Sequence, residues 1–370
     1  MLVDGRSALG VAMNVTVIGS GNGGMAVGFD WAQHGHRVTL YSQAAHADNI
    51  EAVRAKGGIS SRGRLEGFAP VAYAGTDIGA AMEGTETVFV VGPAFATEDF
   101  GRDLAPHLRP GMTVVICPGS CGGALAFKRA AGLAVDDASI VVGETSTLPY
   151  AARADGEGNV QVFHTFDKGL FAAAVPRSGN SQLLATLRRV YPSISEAATV
   201  FQTSLQNGNP VIHPAVTLMN AGLLERTGGD FRFYEEGITP SVGRVMEAVD
   251  NERLAIATAL GVTILSEPEL GVVQGYMTKS NYTSGYSRAP GFLGIKAPAR
   301  IDSRYLTEDV GYTLVFFTDL ARRLDVPTPT MDAIIELTSV VLGRDLRAEA
   351  ARTMRSLALD RLSNNELLSL

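Results

Sequence analysis

The sequence predicts an α/β protein in which a doubly wound parallel sheet is followed by a mainly α-helical domain. From residue 14 to about residue 190, short β-branched apolar runs alternate with Ala-rich helical stretches, as in a parallel sheet covered by helices. Beyond about residue 195, amphipathic helical patterns replace the β signal. The 370 residues suffice for two domains of roughly 150 residues each. We therefore expect one domain over residues 1–195, with residues 1–13 as an N-terminal extension, and a second over residues 196–370.

The charge and hydropathy of the sequence argue against several classes of protein. The chain has 31 Lys and Arg against 38 Asp and Glu, a net charge of −7, and no dense basic run, which argues against a nucleic-acid or membrane-surface partner. No apolar stretch approaches the about 18 residues of a membrane span, and the N-terminus lacks signal-peptide features, so we expect a cytoplasmic protein. Cys117 and Cys121 have no second ligand pair beside them, and we expect reduced thiols and no metal site.

Five apolar, β-branched runs predict the strands of the N-terminal sheet. They lie at residues 15–18, 37–41, 87–91, 113–117 and 139–142. Less regular segments follow at residues 160–163 and 170–175, and we expect residues 181–191 to form the helix that closes this domain.

Helical periodicity dominates the second half of the chain. It predicts helices at residues 215–226, 241–260, 308–324, 331–342 and 345–358. Residues 276–299 are rich in Gly, Pro, Ser and Tyr and too irregular for a helix, so they form either a lid over a site or a solvated connection.

A glycine-rich turn joins the first strand to the first helix. Gly19 permits a tight turn, Gly21 lets backbone N–H groups approach a pyrophosphate, and Gly24 lets the helix pack closely on the strand. The alternative is a glycine-rich turn without a ligand, but the strand, turn and helix together favour a Rossmann-type domain that binds NAD(P). The candidate cofactor-binding residues are Gly19, Ser20, Gly21, Asn22, Gly23, Gly24, Ser42, Pro93 and Ala94.

The end of the second strand bears on the choice between NADH and NADPH. An acidic residue there would bind the ribose hydroxyls of NAD, but the sequence reads Leu40-Tyr41-Ser42-Gln43. No Arg follows at once to pair with a 2′-phosphate. The absence of an acid favours NADPH slightly. Pro93 and Ala94 follow another strand, where their loop either opens toward the cofactor or is an ordinary turn.

Of six histidines, only His213 lies in a setting that suggests chemistry; the others are expected on the surface. It stands in Asn209-Pro-Val-Ile-His213-Pro214, and Pro214 predicts that His213 caps the helix that follows. The residue is therefore either a structural cap or a general acid/base.

A second polar group lies near the other end of the chain, in Arg304-Tyr-Leu-Thr307-Glu308-Asp309. In the structural interpretation, Thr307 is a helix N-cap and both acids stabilise the first turn. In the functional one, a carboxylate orients His213 and Arg304 clamps a substrate carboxylate.

With these motifs in place, the sequence resembles the opine dehydrogenase family, of the octopine and nopaline type, and especially the bacterial N-(1-carboxyethyl)-amino-acid dehydrogenases. The resemblance covers nearly the whole chain, and the motifs follow one another in the family's order. The motifs that carry it are Gly19-Ser-Gly-Asn-Gly-Gly24, Pro118-Gly-Ser-Cys-Gly-Gly-Ala-Leu125, Gly143-Glu144-Thr145-Ser146, Leu148-Pro149-Tyr150, Asn209-Pro-Val-Ile-His213-Pro214, Tyr234-Glu-Glu-Gly-Ile-Thr-Pro-Ser-Val242, Arg304-Tyr305 with Glu308-Asp309, and Val326-Pro-Thr-Pro329.

The resemblance implies an NADH- or NADPH-dependent reductive condensation of an α-keto acid, such as pyruvate, with the amino group of an amino acid. The family's His and Asp pair carries over onto His213 and Asp309. On this basis His213 shuttles protons and Asp309 fixes its tautomer. We expect Arg304 to bind a substrate carboxylate with Asn209 as a polar neighbour, and Glu144, in a loop after a strand, to receive the substrate ammonium. The alternative for each of these three residues is a structural role without substrate contact. A homodimer is also expected.

Two other functions remain open at this stage. One is a keto- or hydroxy-acid dehydrogenase of the ketopantoate reductase type, which would need no amine. The other is a regulator that binds NAD(P) without turnover.

Overall fold

The computed structural model describes residues 11–370, which form two compact units. The first unit runs to Pro118 and resumes from Gly123 to Glu196, and the second comprises Gly119–Gly122 and Ala197–Leu370. The expected boundary at 195/196 lies one residue before this junction. Residues 1–10 of the expected N-terminal extension lie outside the described residues.

The first unit contains the strands of the described chain. In chain order they are β1 (Asn14–Ile18), β2 (Arg37–Tyr41), β3 (Gly58–Gly63), β4 (Gly67–Pro70), β5 (Tyr73–Gly75), β6 (Thr87–Val90), β7 (Thr113–Ile116), β8 (Val141–Thr145), β9 (Tyr150–Ala154), β10 (Asn159–Thr165), β11 (Phe171–Val175) and β12 (Ser195–Glu196).

Eight of these strands form one sheet in the order β12-β11-β8-β7-β6-β1-β2-β5. From β8 to β5 all neighbours are parallel, and β11 joins β8 antiparallel. The chain starts at β1 in the middle of the sheet, extends first toward β5 and then toward β12. This reversal confirms the predicted doubly wound sheet and places the ends of β1 and β6 side by side.

The fifth predicted strand was placed too early. It was expected at residues 139–142, whereas β8 spans Val141–Thr145 and is buried throughout. The polar residues Glu144 and Thr145 do not look like strand residues in the sequence. They lie in the strand all the same, because a strand with neighbours on both sides buries even its polar positions.

A second sheet, in the order β4-β3-β10-β9, was not predicted. Its strands are interrupted by Gly and polar residues, and β3 pairs with β10, about a hundred residues further along the chain. Pairing over such a distance leaves no local periodicity to detect. This sheet packs on the first helix, where Asn22 Oδ1 accepts the N–H of Ala154 at 2.9 Å.

Six helices accompany the sheets in the part of the first unit that the structure describes. They are α1 (Asn22–Gln33), α2 (Asp48–Lys56), α3 (Ile78–Met82), α4 (Thr97–Leu104), α5 (Gly123–Ala130) and α6 (Asn180–Leu187). The predicted closing helix is α6, which ends four residues earlier than expected. The indole of Trp31 on α1 is fully buried and donates to the Tyr191 hydroxyl at 3.0 Å. His36, expected on the surface, is instead buried beside the Trp31 ring.

The described part of the second unit is helical, as predicted. Its helices are α7 (Val200–Leu205), α8 (Asn209–Met219), α9 (Ala221–Thr227), α10 (Pro240–Leu260), α11 (Glu267–Val273), α12 (Ser284–Ser287), α13 (Arg304–Thr307), α14 (Val315–Arg323), α15 (Pro329–Leu342) and α16 (Asn364–Ser369), with a π-helical turn at Asp309–Leu314 between α13 and α14.

Two predicted helices differ from the structure. The helix expected at 215–226 is split into α8 and α9 at Asn220, whose amide donates to the carbonyls of Val216 and Gly237. The helix expected at 345–358 is wrong, because these residues form successive turns. The Asp345 carboxylate accepts two backbone N–H groups there, and Asp319 accepts that of Met354, so side chains replace the helical ladder.

Residues 276–299 form an irregular segment that contains α12 and a short turn at Pro290–Phe292. Phe233 N–H donates to Ile295 O at 2.9 Å, and the ring of Phe292 stacks on Tyr234. The segment is therefore packed against the helical unit and is not merely a solvated connection. No helix within residues 11–370 is long and apolar enough to cross a membrane.

Candidate active site

The glycine turn after β1 has a geometry that only glycine can adopt. Gly19 has φ +104°, and a Cβ there would lie 2.1 Å from the carbonyl oxygen of Val91, just after β6. A Cβ at Gly24 would lie 1.8 Å from Gly19 O. The first glycine thus lets two strand ends approach, and the second lets α1 lie directly on the turn.

The N-terminus of α1 fits a dinucleotide pyrophosphate. No side chain among the described residues caps this helix, and its first turn contains no acid. A Cβ at Gly21, the N-cap, would meet no described atom within 4 Å, so the space in front of the first N–H groups is open to a ligand. Free N–H groups and the helix dipole together attract phosphate.

The polar side chains predicted to bind the cofactor are engaged within the protein. Both Ser20 and Ser42 donate their hydroxyl hydrogens to the carbonyl of His46, at 3.2 and 3.0 Å. Asn22 holds Ala154, as described above. These residues shape the loop around the turn, and Pro93 and Ala94 begin the 3₁₀ turn that follows β6.

An acidic residue does lie near the end of β2, although it comes from another element. The carboxylate of Asp103, on α4, accepts the Gln43 amide at 3.2 Å. Burial raises the pKa of Tyr41, the last residue of β2, and the negative charges of Asp103 and Asp77 add to this effect. The surroundings of this strand end are therefore anionic.

In the second unit, the structure brings His213 and Asp309 together. His213 Nδ1 lies 2.8 Å from Asp309 Oδ2, and both side chains are about nine-tenths buried. His213 is the fifth residue of α8, so the expectation that it caps a helix is wrong, and Pro214 lies inside that helix. Asp309 begins the π-helical turn. Burial raises the pKa of Asp309, while the positive charge of His213 opposes this rise.

Two tyrosines complete the surroundings of His213, and sequence reasoning missed both. The ring of Tyr305 stacks on the imidazole, with centroids 3.8 Å apart and an interplanar angle of 12°. The hydroxyl oxygen of Tyr234 lies 3.3 Å from Nε2. Tyr305 follows Arg304, and Tyr234 begins the motif Tyr234-Glu-Glu-Gly. Neither motif indicates that its tyrosine ring faces the histidine.

Arg304 lies one residue from Tyr305, at the start of α13. Its Nε is 2.5 Å from Glu308 Oε2, and the Arg304 side chain is 64% exposed whereas that of Glu308 is 6% exposed. The carboxylate of Glu308 therefore orients the guanidinium without removing it from solvent. Thr307 is the last residue of α13, so its expected role as an N-cap is wrong.

The two remaining candidate substrate residues lie in different settings. Asn209 is exposed and is the first residue of α8, one turn before His213 and hence on the same face of the helix. Glu144 was expected in a loop but lies within β8, where it is fully buried and accepts the N–H of Ala124 at the start of α5. Its carboxylate thus stabilises the N-terminus of α5 in the first unit.

Two protein-family models match this chain, one in each of its two parts. A family model described as the α-helical domain of NAD/NADP octopine/nopaline dehydrogenase matches residues 196–342. A model of the N-terminus of NAD-dependent glycerol-3-phosphate dehydrogenase matches residues 14–121.

Similar proteins and structures extend over almost the full length. The chain is 33% identical to an opine dehydrogenase from Arthrobacter sp. (strain 1C), covering 94% of this chain and 95% of that protein. It is 27% identical to protein ocs of Agrobacterium tumefaciens (strain Ach5), over 96% and 98% of the two chains. Octopine dehydrogenase solved with NADH and L-arginine has the same fold, with a TM-score of 0.78, 20% identity and coverage of 97% and 98%.

A ketopantoate reductase from Ralstonia eutropha shares the fold at a TM-score of 0.60 and 15% identity, over 92% of this chain and 100% of that one. At this low sequence identity, the ketopantoate reductase shares only the fold with this chain. The Arthrobacter enzyme, in contrast, is similar in sequence through both units. The chain belongs to the opine dehydrogenase family, as an NAD(P)-dependent oxidoreductase that acts on the CH–NH group of its donors.

Proposed function

We propose that this protein condenses an α-keto acid such as pyruvate with the amino group of an amino acid and reduces the product to an N-(carboxyalkyl) amino acid. The observation that carries this proposal is the buried pair of His213 and Asp309, with Arg304 close by on α13. Solved octopine dehydrogenase structures that share this fold contain NADH with L-arginine or with pyruvate, which supports the substrate classes.

The condensation requires protons to move before reduction. The substrate ammonium must lose two protons as it becomes the iminium nitrogen, and the keto oxygen must gain two protons to leave as water. His213 performs these transfers. Asp309 accepts a hydrogen bond from the Nδ1–H of His213, which holds the ring in one tautomer and stabilises the imidazolium. The bound nicotinamide supplies the hydride that reduces the resulting imine.

Arg304 binds a substrate carboxylate in this proposal. Its planar guanidinium suits a carboxylate, and the pairing of Nε with Glu308 leaves the side chain largely exposed. Asn209, exposed on the His213 face of α8, is a second contact for the substrate. We assign Glu144 to the first unit's structure, because its carboxylate is buried and bonded to Ala124.

For the cofactor, we propose NADH. The sequence alone favours NADPH slightly, because no acid ends β2. The hydroxyl hydrogen of Ser42 is directed to His46, and Asp103 and Asp77 place negative charge beside this strand end. A 2′-phosphate would be repelled there, whereas a ribose hydroxyl can donate to a carboxylate.

The proposal is tested by measuring NADH and NADPH oxidation with pyruvate and other keto acids, each with and without a panel of amino acids. We expect oxidation that requires the amine and is faster with NADH. Oxidation without an amine would point to a hydroxy-acid dehydrogenase, and cofactor binding without oxidation would point to a regulator.

A further inference from the structure

Both nitrogens of His213 are engaged within the second unit. Asp309 Oδ2 lies 2.8 Å from Nδ1, and the Tyr234 hydroxyl lies 3.3 Å from Nε2. The ring of Tyr305 covers one face of the imidazole, and Phe233 meets it at 63° with centroids 6.1 Å apart. The nitrogen that would face a substrate is therefore directed at a phenol.

The hydrogen-bond donors follow from the Asp309 contact. A carboxylate only accepts, so Nδ1 carries the hydrogen and Nε2 of the neutral ring is an acceptor. The Tyr234 O–H then donates to Nε2. At 3.3 Å this bond is longer than an optimal hydrogen bond and can be exchanged readily for another partner.

Protonation of His213 must reverse this bond. Once Nε2 carries a proton it can no longer accept, so it donates to the phenol oxygen of Tyr234. The phenol hydrogen then needs another acceptor. A keto oxygen that gains negative charge as the amine attacks is a stronger acceptor than the neutral hydroxyl of Tyr305, which also hydrogen-bonds to Tyr234.

We propose that Tyr234 carries the proton between His213 and the keto oxygen of the substrate. This rests on the condensation proposed above. In each transfer the imidazolium gives its Nε2 proton to the phenol oxygen while the phenol gives its own hydrogen to the substrate oxygen. Neutral imidazole and neutral phenol remain. The first proton converts the carbonyl to a hydroxyl, and a second converts that hydroxyl to the departing water. His213 takes both protons from the substrate nitrogen, which loses two hydrogens as the ammonium becomes an iminium.

The surroundings of Tyr234 keep the phenol neutral and in place. The side chain is 5% exposed, and the ring of Phe292 stacks on it at 4.0 Å and 6°. Burial holds the pKa of Tyr234 well above its usual value, and the hydroxyl of Tyr305 also hydrogen-bonds to it. A phenol that does not ionise can accept one proton only while it releases another.

Several titratable groups face this pair from the elements around it. Tyr305 lies on α13, Asp309 on the π-helical turn, and Glu267 at the start of α11. Arg304 and Glu308 act on Asp309, and the charges of Glu267 and Asp309 act on Tyr234. The hydroxyl of Tyr276 donates to Glu267 Oε1 at 2.9 Å, and its ring meets Phe292.

The test compares Tyr234→Phe with Tyr276→Phe, which removes a buried hydroxyl from the same aromatic cluster. For Tyr234→Phe we expect kcat to fall about 100-fold, the lower range for loss of a general acid/base, with both KM values within about threefold. The acid limb of the pH profile should move down by about half a pH unit, because the imidazolium loses its hydrogen bond to the phenol oxygen, which is stronger than the bond that the neutral ring loses. Tyr276→Phe should keep kcat within about threefold, a small effect on that scale.

Thermal melting and NADH titration verify that each variant is folded. A kcat for Tyr234→Phe close to that of the wild type, or a loss confined to KM, would overturn the relay while leaving the proposed function intact. An unmoved pH profile would also overturn it, because a purely structural tyrosine would not shift the profile. A wild-type enzyme without amine-dependent oxidation would instead overturn the proposed function.

Discussion

At the scale of single residues, the sequence identified both members of the His213–Asp309 pair but not the residues that surround them. His213 and Asp309 stand 96 positions apart, and only packing brings Nδ1 within 2.8 Å of the carboxylate. Tyr234 and Tyr305 were missed because aromatic residues are common in cores, and nothing in the local pattern distinguishes a ring that contacts a histidine.

We expect His213→Ala to lower kcat by at least about 100-fold while NADH binding changes little, because proton transfer is lost and the glycine turn is untouched. His164→Ala, which alters a half-buried histidine on β10, serves as the control. Steady-state kinetics and NADH fluorescence titration measure the two effects. Turnover close to that of the wild type would exclude His213 as the proton-transferring group.

Replacing Arg304 by Lys tests the carboxylate clamp. Lysine keeps the charge but loses the planar pair of donors, so we expect KM for one substrate to rise about tenfold, the effect of roughly 1.4 kcal/mol. Arg300→Lys, on an exposed arginine paired with Asp302, is the matched control. Equal Michaelis constants in wild type and Arg304→Lys would contradict the clamp.

At the scale of elements, the glycine turn was the most predictable feature, because strand, turn and helix lie within about thirty residues. The second sheet and the π-helical turn were not predictable. The sheet depends on strands far apart in sequence, and the π-helical turn places Asp309 on the histidine through packing against α8. The helix and strand propensities of the local sequence predict neither the second sheet nor the π-helical turn.

Two glycine substitutions separate cofactor binding from folding. Gly21→Ala places a Cβ in open space in front of α1, so we expect the NADH Kd to rise at least about tenfold, about 1.4 kcal/mol, with little change in Tm. Gly24→Ala places a Cβ 1.8 Å from Gly19 O, so it should lower Tm as well. Fluorescence titration and thermal melting distinguish them. Unchanged NADH affinity in Gly21→Ala would argue against pyrophosphate binding at this turn.

The start of α11 should make stability depend on pH. Glu267 is fully buried, burial raises its pKa from 4.5 to about 8, and its Oε2 has no hydrogen-bond partner among the described residues. Between these pH values the unfolded chain releases a proton that the folded chain retains, so the free energy of unfolding falls as pH rises through this window.

Glu267→Gln removes this titration and nearly preserves the shape of the side chain. We expect the variant to gain stability relative to wild type as pH increases from 4.5 to about 8, by about 4 kcal/mol, since one pKa unit corresponds to about 1.4 kcal/mol and the titration is half complete at each end of this window. Denaturant unfolding at several pH values measures the difference. A difference independent of pH would show that Glu267 does not titrate in this way.

At the scale of the whole molecule, the second unit includes four residues from the middle of the first unit's sequence. Gly122 N–H donates to Ser204 Oγ, and Asn207 and Thr313 donate to the carbonyl of Ser120. Arg352 is fully buried and donates to the carbonyls of Cys121 and Gly119. A division of the chain at one boundary cannot represent this arrangement.

Arg352→Ala should therefore destabilise the second unit. Its loss leaves two buried carbonyls short of a donor and removes the cation over the Tyr312 ring, so we expect about 3 kcal/mol and a Tm lower by about 5–10 °C. Arg355→Ala, at an exposed position three residues on, should change Tm by about 1 °C. Differential scanning calorimetry measures both. Equal melting temperatures for the two variants would contradict this anchoring role.

By itself, the sequence determined the two-part architecture, the doubly wound sheet, the glycine turn and the family resemblance. Each of these follows from short-range patterns, such as alternating apolar runs or fixed glycine spacing. Tertiary structure alone decided that His213 lies within a helix, that Asp103 reaches the end of β2 from α4, and that Tyr234 contacts Nε2. These arrangements join residues from separate elements, and burial and hydrogen bonding between distant segments leave no periodic trace in the chain.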